Sequence, residues 1–272
     1  MKAEKITRSS NSNLALAFIS LGRARRRDIT IFYAFCRVID DIADGNDSAE
    51  EKARQLDQWR AWLREAAHDQ PELAIDLRNV MMRHRIPPAM LDEIIDGVEM
   101  DLSISSYATW EELRVYCYRV ASAVGLVSIE IFGYRNPQCR QYAIELGLAL
   151  QVTNIIRDVG KDLEDGRIYL PQEDFSRFSY EEGDLRARRY DDRFVRLMQF
   201  EAARAWELFR RASELLPPED RRSMIAAEVM RAIYSALLRR MERDNFRVFQ
   251  TQYRLSKIEK LSRMAGQLLQ FR

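Results

Sequence analysis

The sequence predicts an all-α fold, a single helical bundle spanning residues 1–272. Three observations carry this. Apolar residues return at three- and four-residue steps in nearly every segment, the period of a helix with one face turned to a core. No run alternates apolar and polar residues as a half-buried strand does. Turn-forming residues cut the chain at Gly45-Asn46-Asp47, Pro71, Pro87-Pro88, 133–137, 166–171 and Pro217-Pro218, leaving stretches of about 12–28 residues.

The first stretch, 14–22, follows Lys2, Lys5 and Arg8 and mimics the apolar part of a secretory signal. It runs into Arg23-Ala24-Arg25-Arg26-Arg27-Asp28 with no small-residue cleavage site, so it reads as helix. The arginine cluster fits a solvated helix start better than a diphosphate or membrane contact. Helices are expected over 28–44, 49–68, 89–102, 110–132, 137–163, 193–216 and 223–249, with a shorter piece from Ser256 to the end. Residues 166–184 form the least regular connection. No run approaches the roughly 18–20 apolar residues of a membrane span.

Composition narrows the function classes. With 47% hydrophobic residues the chain can bury a large core, and a net charge of +1 points away from nucleic acid. Cys36, Cys117 and Cys139 lack metal-type spacing, and their odd number argues against a disulfide framework and for a reducing compartment. His68 and His84 lie outside the polar rows described next, which leaves little support for a histidine-ligated zinc or a serine–histidine triad.

Two aspartate pairs stand out. Asp40 and Asp44 share one face of the 28–44 helix, one turn apart, and Asp158 and Asp162 do the same on the 137–163 helix. Asp92/Asp96 repeats the spacing in an ordinary-looking helix, so spacing alone fits a solvated charged face. The flanks distinguish them. Tyr33, Arg37, Asp40 and Asp44 form one polar row among Ile31, Phe32, Phe35, Val38 and Ile39. Gly147, Gln151, Asn154, Asp158 and Asp162 form another among Leu146, Leu148, Leu150, Val152, Ile155 and Ile156. A helix apolar nearly all round is buried, and polar side chains are seldom buried there unless paired or bound to a metal. Two such faces opposed across a bundle could hold Mg²⁺ against a diphosphate, since Mg²⁺ is usually bound by one or two carboxylates plus substrate phosphates.

Three further stretches complete the pattern. Tyr116-Cys117-Tyr118-Arg119-Val120-Ala121-Ser122-Ala123-Val124-Gly125 is an apolar helix whose small residues suit close packing or the passage of a long ligand. Gly166-Arg167-Ile168-Tyr169-Leu170-Pro171 brings Arg167 near the end of the second aspartate helix. With Arg37-x-x-Asp40-Asp41-x-x-Asp44 and Gln151-x-x-Asn154-x-x-Arg157-Asp158-x-x-x-Asp162, these blocks resemble the squalene/phytoene synthase family over roughly residues 14 to 260.

The resemblance implies an isoprenoid-synthase (prenyltransferase) helical bundle around a central cavity, with the aspartate motifs facing each other. It implies that Asp40, Asp44, Asp158 and Asp162 are catalytic and, with Asn154, associated with Mg²⁺. Tyr33, Arg37, Gln151, Asn154 and Arg157 would bind substrate, and Tyr116 matches a family tyrosine near the departing diphosphate and the carbocation. The activity implied is head-to-head condensation of two isoprenoid diphosphates. The Val120-Ala121-Ser122-Ala123-Val124-Gly125 block has Ser122 where many phytoene and eukaryotic squalene synthases have glycine. That favours the bacterial branch that converts two farnesyl diphosphates to presqualene diphosphate and, with NADPH, on to squalene. The alternatives are a phytoene synthase using geranylgeranyl diphosphate and a non-catalytic prenyl-binding protein, which would be expected to have lost aspartates. The segment Asn11-Ser12-Asn13-Leu14-Ala15-Leu16-Ala17-Phe18 departs from the family by lacking its Ser-Phe pair.

A cytoplasmic location is expected. Leu255, Ile258, Leu261, Leu268 and Leu269, interleaved with Lys257, Lys260, Arg263 and Arg272, suit either an interfacial amphipathic helix or a helix docked on the bundle with its basic face solvated. The docked arrangement is the expectation, with weak, salt-sensitive peripheral attachment to the inner membrane face at most.

Overall fold

The computed structural model describes residues 17–270, and every regular element among them is a helix. The one strand-like pairing among the described residues is an isolated parallel bridge between Ser106 and Ile168. Residues 11–16, which include most of the segment that departs from the family, and Arg272 lie outside the described residues.

The stretch expected as the first helix is, where described, a 3₁₀ turn at Phe18–Ser20 followed by an extended Gly22. Helix α1 (Arg23–Asp44) starts at the arginine cluster rather than at Asp28. Arg26 folds back and donates to the carbonyls of Phe18 at 3.1 Å and Leu21 at 2.9 Å, so part of the cluster fastens the preceding turn. Ser48 caps α2 (Ala49–Arg64) by accepting from the Glu51 amide at 3.2 Å.

Helix α3 (Glu72–His84) fills the stretch between the cuts at Pro71 and Pro87-Pro88, which is not among the helices expected by range. It lies against α1, with Leu73, Leu77 and Val80 buried. Its last turn grips the buried Asp28 of α1, Arg83 at 2.5 Å and His84 at 2.8 Å. His84 therefore has a structural role.

Helix α4 (Pro88–Met100) leads through an irregular segment to a composite helix: α5 (Trp110–Cys117), a π turn (Tyr118–Ser122) and α6 (Ala123–Phe132). A π turn inserts one extra residue and rotates the side chains on either side of it. Glycines clamp it from two directions. A Cβ on Gly147 would stand 2.6 Å from the Ser122 Cα, and one on Gly97 the same distance from the Arg119 Cβ. The composite helix, Trp110–Phe132, is long and apolar enough to cross a membrane by length and mean hydropathy, contrary to expectation. Here it is a core helix packed against α4 and α7, with half of its most apolar window buried.

Helix α7 (Cys139–Glu164) is the centre of the bundle and touches α10 (Asp192–Leu215), α6, the π turn and α11 (Ile225–Arg243). Two short helices, α8 (Gln172–Arg177) and α9 (Glu182–Arg186), occupy the irregular connection. Arg204 of α10 holds that connection in place: it pairs with Asp174 at 2.9 Å, pairs with Glu201, and stacks 4.6 Å over Trp110.

Helix α12 (Lys257–Gln270) docks on α11, as expected. Lys257 and Arg263 are solvated as expected, but the apolar residues are not the ones that face the bundle. Ile258, Leu261, Leu268 and Leu269 are exposed, while Met264 packs on the core and Gln267 is buried. Anchoring falls instead to the buried Leu255 and to an Arg240–Glu259 ion pair, so the polar side faces the bundle.

Candidate active site

Each polar row lands on a helix that the core holds firmly. In α1, Ile31, Phe32, Phe35 and Ile39 are buried, which fixes the rotation that turns Arg37, Asp40 and Asp44 to the interior rim. In α7, Leu148, Val152, Ile155 and Ile156 do the same for Gln151, Asn154, Asp158 and Asp162.

The two rows meet around Arg167. Gly166, in the left-handed region at φ +76°, ends α7 and allows the Arg167 amide to donate to the Asp162 carbonyl at 2.8 Å. The Arg167 guanidinium then lies 3.6 Å from Asp44 on α1. It also lies within electrostatic reach of Asp162 and of Asp101.

Carboxylates outweigh cations here. Burial pushes Asp40 up to about 7, with Asp44, Asp41 and Asp101 adding repulsion against the pull of Arg37. Burial likewise pushes Asp162 up to about 7, with Asp158 adding to it. The arginines of the site answer these charges only in part: Arg37 pairs with Asp41 at 2.8 Å and stands 3.9 Å from Asp40, Arg157 forks onto Asp158, and Arg167 reaches Asp44. The Asn154 amide nitrogen donates to Gln151 at 3.3 Å, leaving its Oδ1 buried without a partner. Among the described residues no three carboxylate, histidine or cysteine side chains are gathered closely enough to hold an ion by themselves.

Sequence reasoning missed Asp101, just beyond the end of α4. It accepts from Tyr116 at 3.0 Å and from Tyr169 at 2.8 Å, and the Tyr116 hydroxyl lies 3.3 Å from that of Tyr169. The Tyr116 and Tyr169 rings stack at 5.1 Å, with the Tyr107 ring 5.6 Å from Tyr116. Burial raises Asp101, and burial together with the neighbouring Asp101 charge raises both hydroxyls, so the tyrosines stay neutral donors. The signal in the sequence was indirect: Tyr169 sits in the apolar run Ile168–Leu170, where a buried hydroxyl needs a partner.

Two cavities adjoin these rows. A polar one of about 440 Å³ is lined by Tyr33, Arg37, Arg157, Asp158 and Lys161, with Arg254 and Lys260 on its other side. Lys161, Tyr234, Arg254 and Lys260 were not foreseen. An apolar one of about 180 Å³ runs between α6 and α7, bordered by Gly125, Phe132, Tyr142 and Leu146. Asn154, Met230 and Tyr234 line both. Along α7 the apolar lining extends from Asn154 to Tyr142, about 18 Å at the helical rise. The structure brings together Tyr33, Arg37, Asn154, Arg157 and Asp158 in one cavity wall and places Gln151 at the apolar side, while Asp162 borders a separate small pocket with Arg167 and Tyr169, and Asp40, Asp44 and Tyr116 line neither of the two cavities.

A polar end rich in charge beside a narrow apolar channel suits a molecule with an anionic head and a hydrocarbon tail. Comparison with known proteins agrees. The squalene/phytoene synthase family model matches residues 7–259. A 15-cis-phytoene synthase from Synechococcus elongatus is 34% identical over 264 residues, covering 91% of this chain and 85% of that protein. A phytoene synthase from Mycobacterium tuberculosis is 33% identical over 270 residues, covering 97% and 89%. Among solved structures, a dehydrosqualene synthase superposes with a TM-score of 0.85 at 26% identity, covering 98% of this chain and 94% of its own. A squalene synthase from Alicyclobacillus acidocaldarius gives 0.78 at 27%, covering 90% and 93%. The helical bundle is that of a prenyltransferase-type isoprenoid synthase, and the chain belongs to the squalene/phytoene synthase family.

Proposed function

We propose that the protein joins two farnesyl diphosphates head to head to give presqualene diphosphate. The observation that carries this reading is that the two cavities share Asn154, Met230 and Tyr234, with Asp158 among Arg37, Arg157 and Lys161 at one end and hydrocarbon lining at the other.

The donor set suits Mg²⁺. The Asn154 Oδ1 is a buried oxygen donor without a partner, and Asp40 and Asp162 sit among other carboxylates with too little cation to match. Asp40, Asp44, Asn154, Asp158 and Asp162 would hold it together with oxygens of the diphosphate. When bound, the metal supplies positive charge to the departing diphosphate.

The chain's own residues do the remainder. Arg37, Arg157 and Lys161 orient the diphosphate from the cavity wall as fixed positive charge. The allylic C–O bond breaks with its electrons leaving on diphosphate, and the apolar channel keeps water from the resulting carbocation. The stacked rings of Tyr107, Tyr116 and Tyr169 offer aromatic faces nearby to steady positive charge. The double bond of the second substrate then attacks, forming the new C–C bond and, with loss of a proton, the cyclopropane of the product. The three free cysteines are all buried, in keeping with a cytoplasmic setting.

A second reading is supported by the names of the relatives. Those that are 33–36% identical are phytoene synthases, which points to geranylgeranyl diphosphate as the alternative substrate. Incubation with each diphosphate and Mg²⁺, with and without NADPH, followed by mass spectrometry of the products, separates the two. A C30 diphosphate from farnesyl diphosphate alone fits the first reading. Phytoene from geranylgeranyl diphosphate, with no farnesyl product, replaces it with the second, and turnover of neither contradicts both.

A further inference from the structure

We infer that the groove between α10, α11 and α12 is a binding site for a small phosphate ester, separate from the aspartate site. The groove encloses about 670 Å³, within the size range of small-molecule sites. Helix α11 forms its floor and packs against both neighbours. One face of α11 carries Met230, Ile233 and Tyr234 to the polar cavity described above, and the other carries Arg231, Ser235 and Arg239 to the groove. The two spaces therefore lie on opposite sides of one helix. Small side chains keep the groove open: Ala232, Ser262 and Gly266 face it, and a Cβ added to Gly266 would meet nothing within 4 Å.

Charge selects the ligand. Among the described residues four arginines line the groove and no carboxylate does. Arg210 is answered by Glu207 at 2.7 Å and Glu214 at 2.6 Å, and Arg231 by Glu228 at 2.6 Å. Arg239 from α11 and Arg263 from α12 form no ion pair among the described residues, and Arg239 is held in place 5.2 Å over the Trp206 ring. Two guanidinium groups without counter-charge fit the oxygens of a phosphate, which arginine grips with paired N–H donors.

Two buried polar side chains distinguish this groove from a merely solvated basic face. Gln267 is 9% exposed, and its Oε1 has no hydrogen-bond partner. Ser235 is 7% exposed, and its hydroxyl makes no hydrogen bond among the described residues. Buried polar groups are ordinarily paired, so both are groups that a ligand would complete. A phosphate oxygen can accept from the Ser235 hydroxyl, and a neighbouring hydroxyl of the ligand can donate to the Gln267 Oε1. No aliphatic side chain larger than alanine lines the groove, so a prenyl tail finds no path there. The ligand is therefore polar throughout: a phosphate monoester with adjoining hydroxyls, of the sugar-phosphate class. Nothing in this chemistry depends on the prenyl-diphosphate reading.

The test is calorimetric titration of the full chain, without Mg²⁺, with ribose 5-phosphate, inorganic phosphate and ribose. Ribose 5-phosphate should bind saturably, inorganic phosphate more weakly and ribose not at all. Arg239→Gln with Arg263→Gln should weaken ribose 5-phosphate binding at least about tenfold, the scale of losing a charge-assisted hydrogen bond. Both side chains are exposed, so thermal unfolding should not change. Arg37→Gln with Arg157→Gln, in the polar cavity, should leave the binding as it is. Gln267→Met should erase the margin by which ribose 5-phosphate outbinds inorganic phosphate. Absence of saturable binding, equal binding by the Arg239/Arg263 variant, or loss in the Arg37/Arg157 variant instead, overturns the site. A margin that is missing in wild type, or that survives Gln267→Met, overturns the contact assigned to Gln267.

Discussion

Asp92 and Asp96 on α4 have the same four-residue spacing as Asp40/Asp44 and Asp158/Asp162, and the fold treats them differently. Arg64 pairs with Asp92 at 2.5 Å, and Arg60 pairs with Asp96 at 2.6 Å and Glu99 at 2.7 Å, tying α2 to α4. Each of these acids has an arginine from the neighbouring helix. In the site, Arg37 and Arg157 pair with Asp41 and Asp158, and the half-buried Asp40 and Asp162 sit among more carboxylates than Arg37, Lys161 and Arg167 offset. A matched carboxylate pair fastens helices. An under-matched pair stores affinity for a cation, because burying charge without compensation is costly until something supplies it.

The sharpest break of this contrast is Asp40→Asn or Asp158→Asn. Each keeps side-chain volume and removes a charge, and turnover should fall by at least about a hundredfold, the scale of losing one preorganised electrostatic group. The melting temperature should hold or rise for Asp40→Asn, since a repelling charge is gone. Steady-state rates near wild type would remove the role given to these aspartates.

Stability against pH comes next. Asp40 and Asp162 titrate near 7 in the folded chain and near 3.8 when unfolded, so the folded state binds more protons between about pH 4 and 7. Stability of the metal-free protein should therefore fall as pH rises through that window. Millimolar Mg²⁺ with pyrophosphate should restore more at pH 8 than at pH 5. Melting curves that rise from pH 5 to 8 without metal would contradict the under-matching.

Tyr116→Phe should lower kcat by roughly ten- to a hundredfold with a smaller change in KM, because its hydroxyl is committed to Asp101 and Tyr169 and its loss leaves Asp101 short of a donor. A change confined to KM would place the ring in the channel wall instead. The smallest effect belongs to Asp92→Asn. Activity should match wild type, and stability should drop by about 0–1 kcal/mol, the range for exposed ion pairs. A large activity loss there would erase the contrast.

Much of this was legible before the structure. The long helices follow from apolar period, and the two polar rows from residues that interrupt it on α1 and α7. What escaped depends on contacts between distant segments. Helix α3 lies between prolines and carries no polar row, and its Asp28 anchor sits on another helix. Asp101 gains its meaning from Tyr116 and Tyr169, 15 and 68 residues away. The π turn is set by Gly97 and Gly147 pressing from either side, which no local pattern encodes. The rotation of α12 was misjudged because periodicity identifies an apolar face without saying which way it points.

The most direct measurement is calorimetric titration of wild type and Asp158→Asn with inorganic pyrophosphate, with and without Mg²⁺, in buffers of different ionisation enthalpy near pH 6.5. Wild type should bind pyrophosphate tightly only with Mg²⁺ and release protons as it does so, since Asp40 and Asp162 hold protons at that pH in the metal-free protein. Asp158→Asn should lose most of the Mg²⁺-dependent affinity. Equal affinity without Mg²⁺, or binding with no proton release and no effect of the substitution, would contradict a Mg²⁺–diphosphate site built on these aspartates.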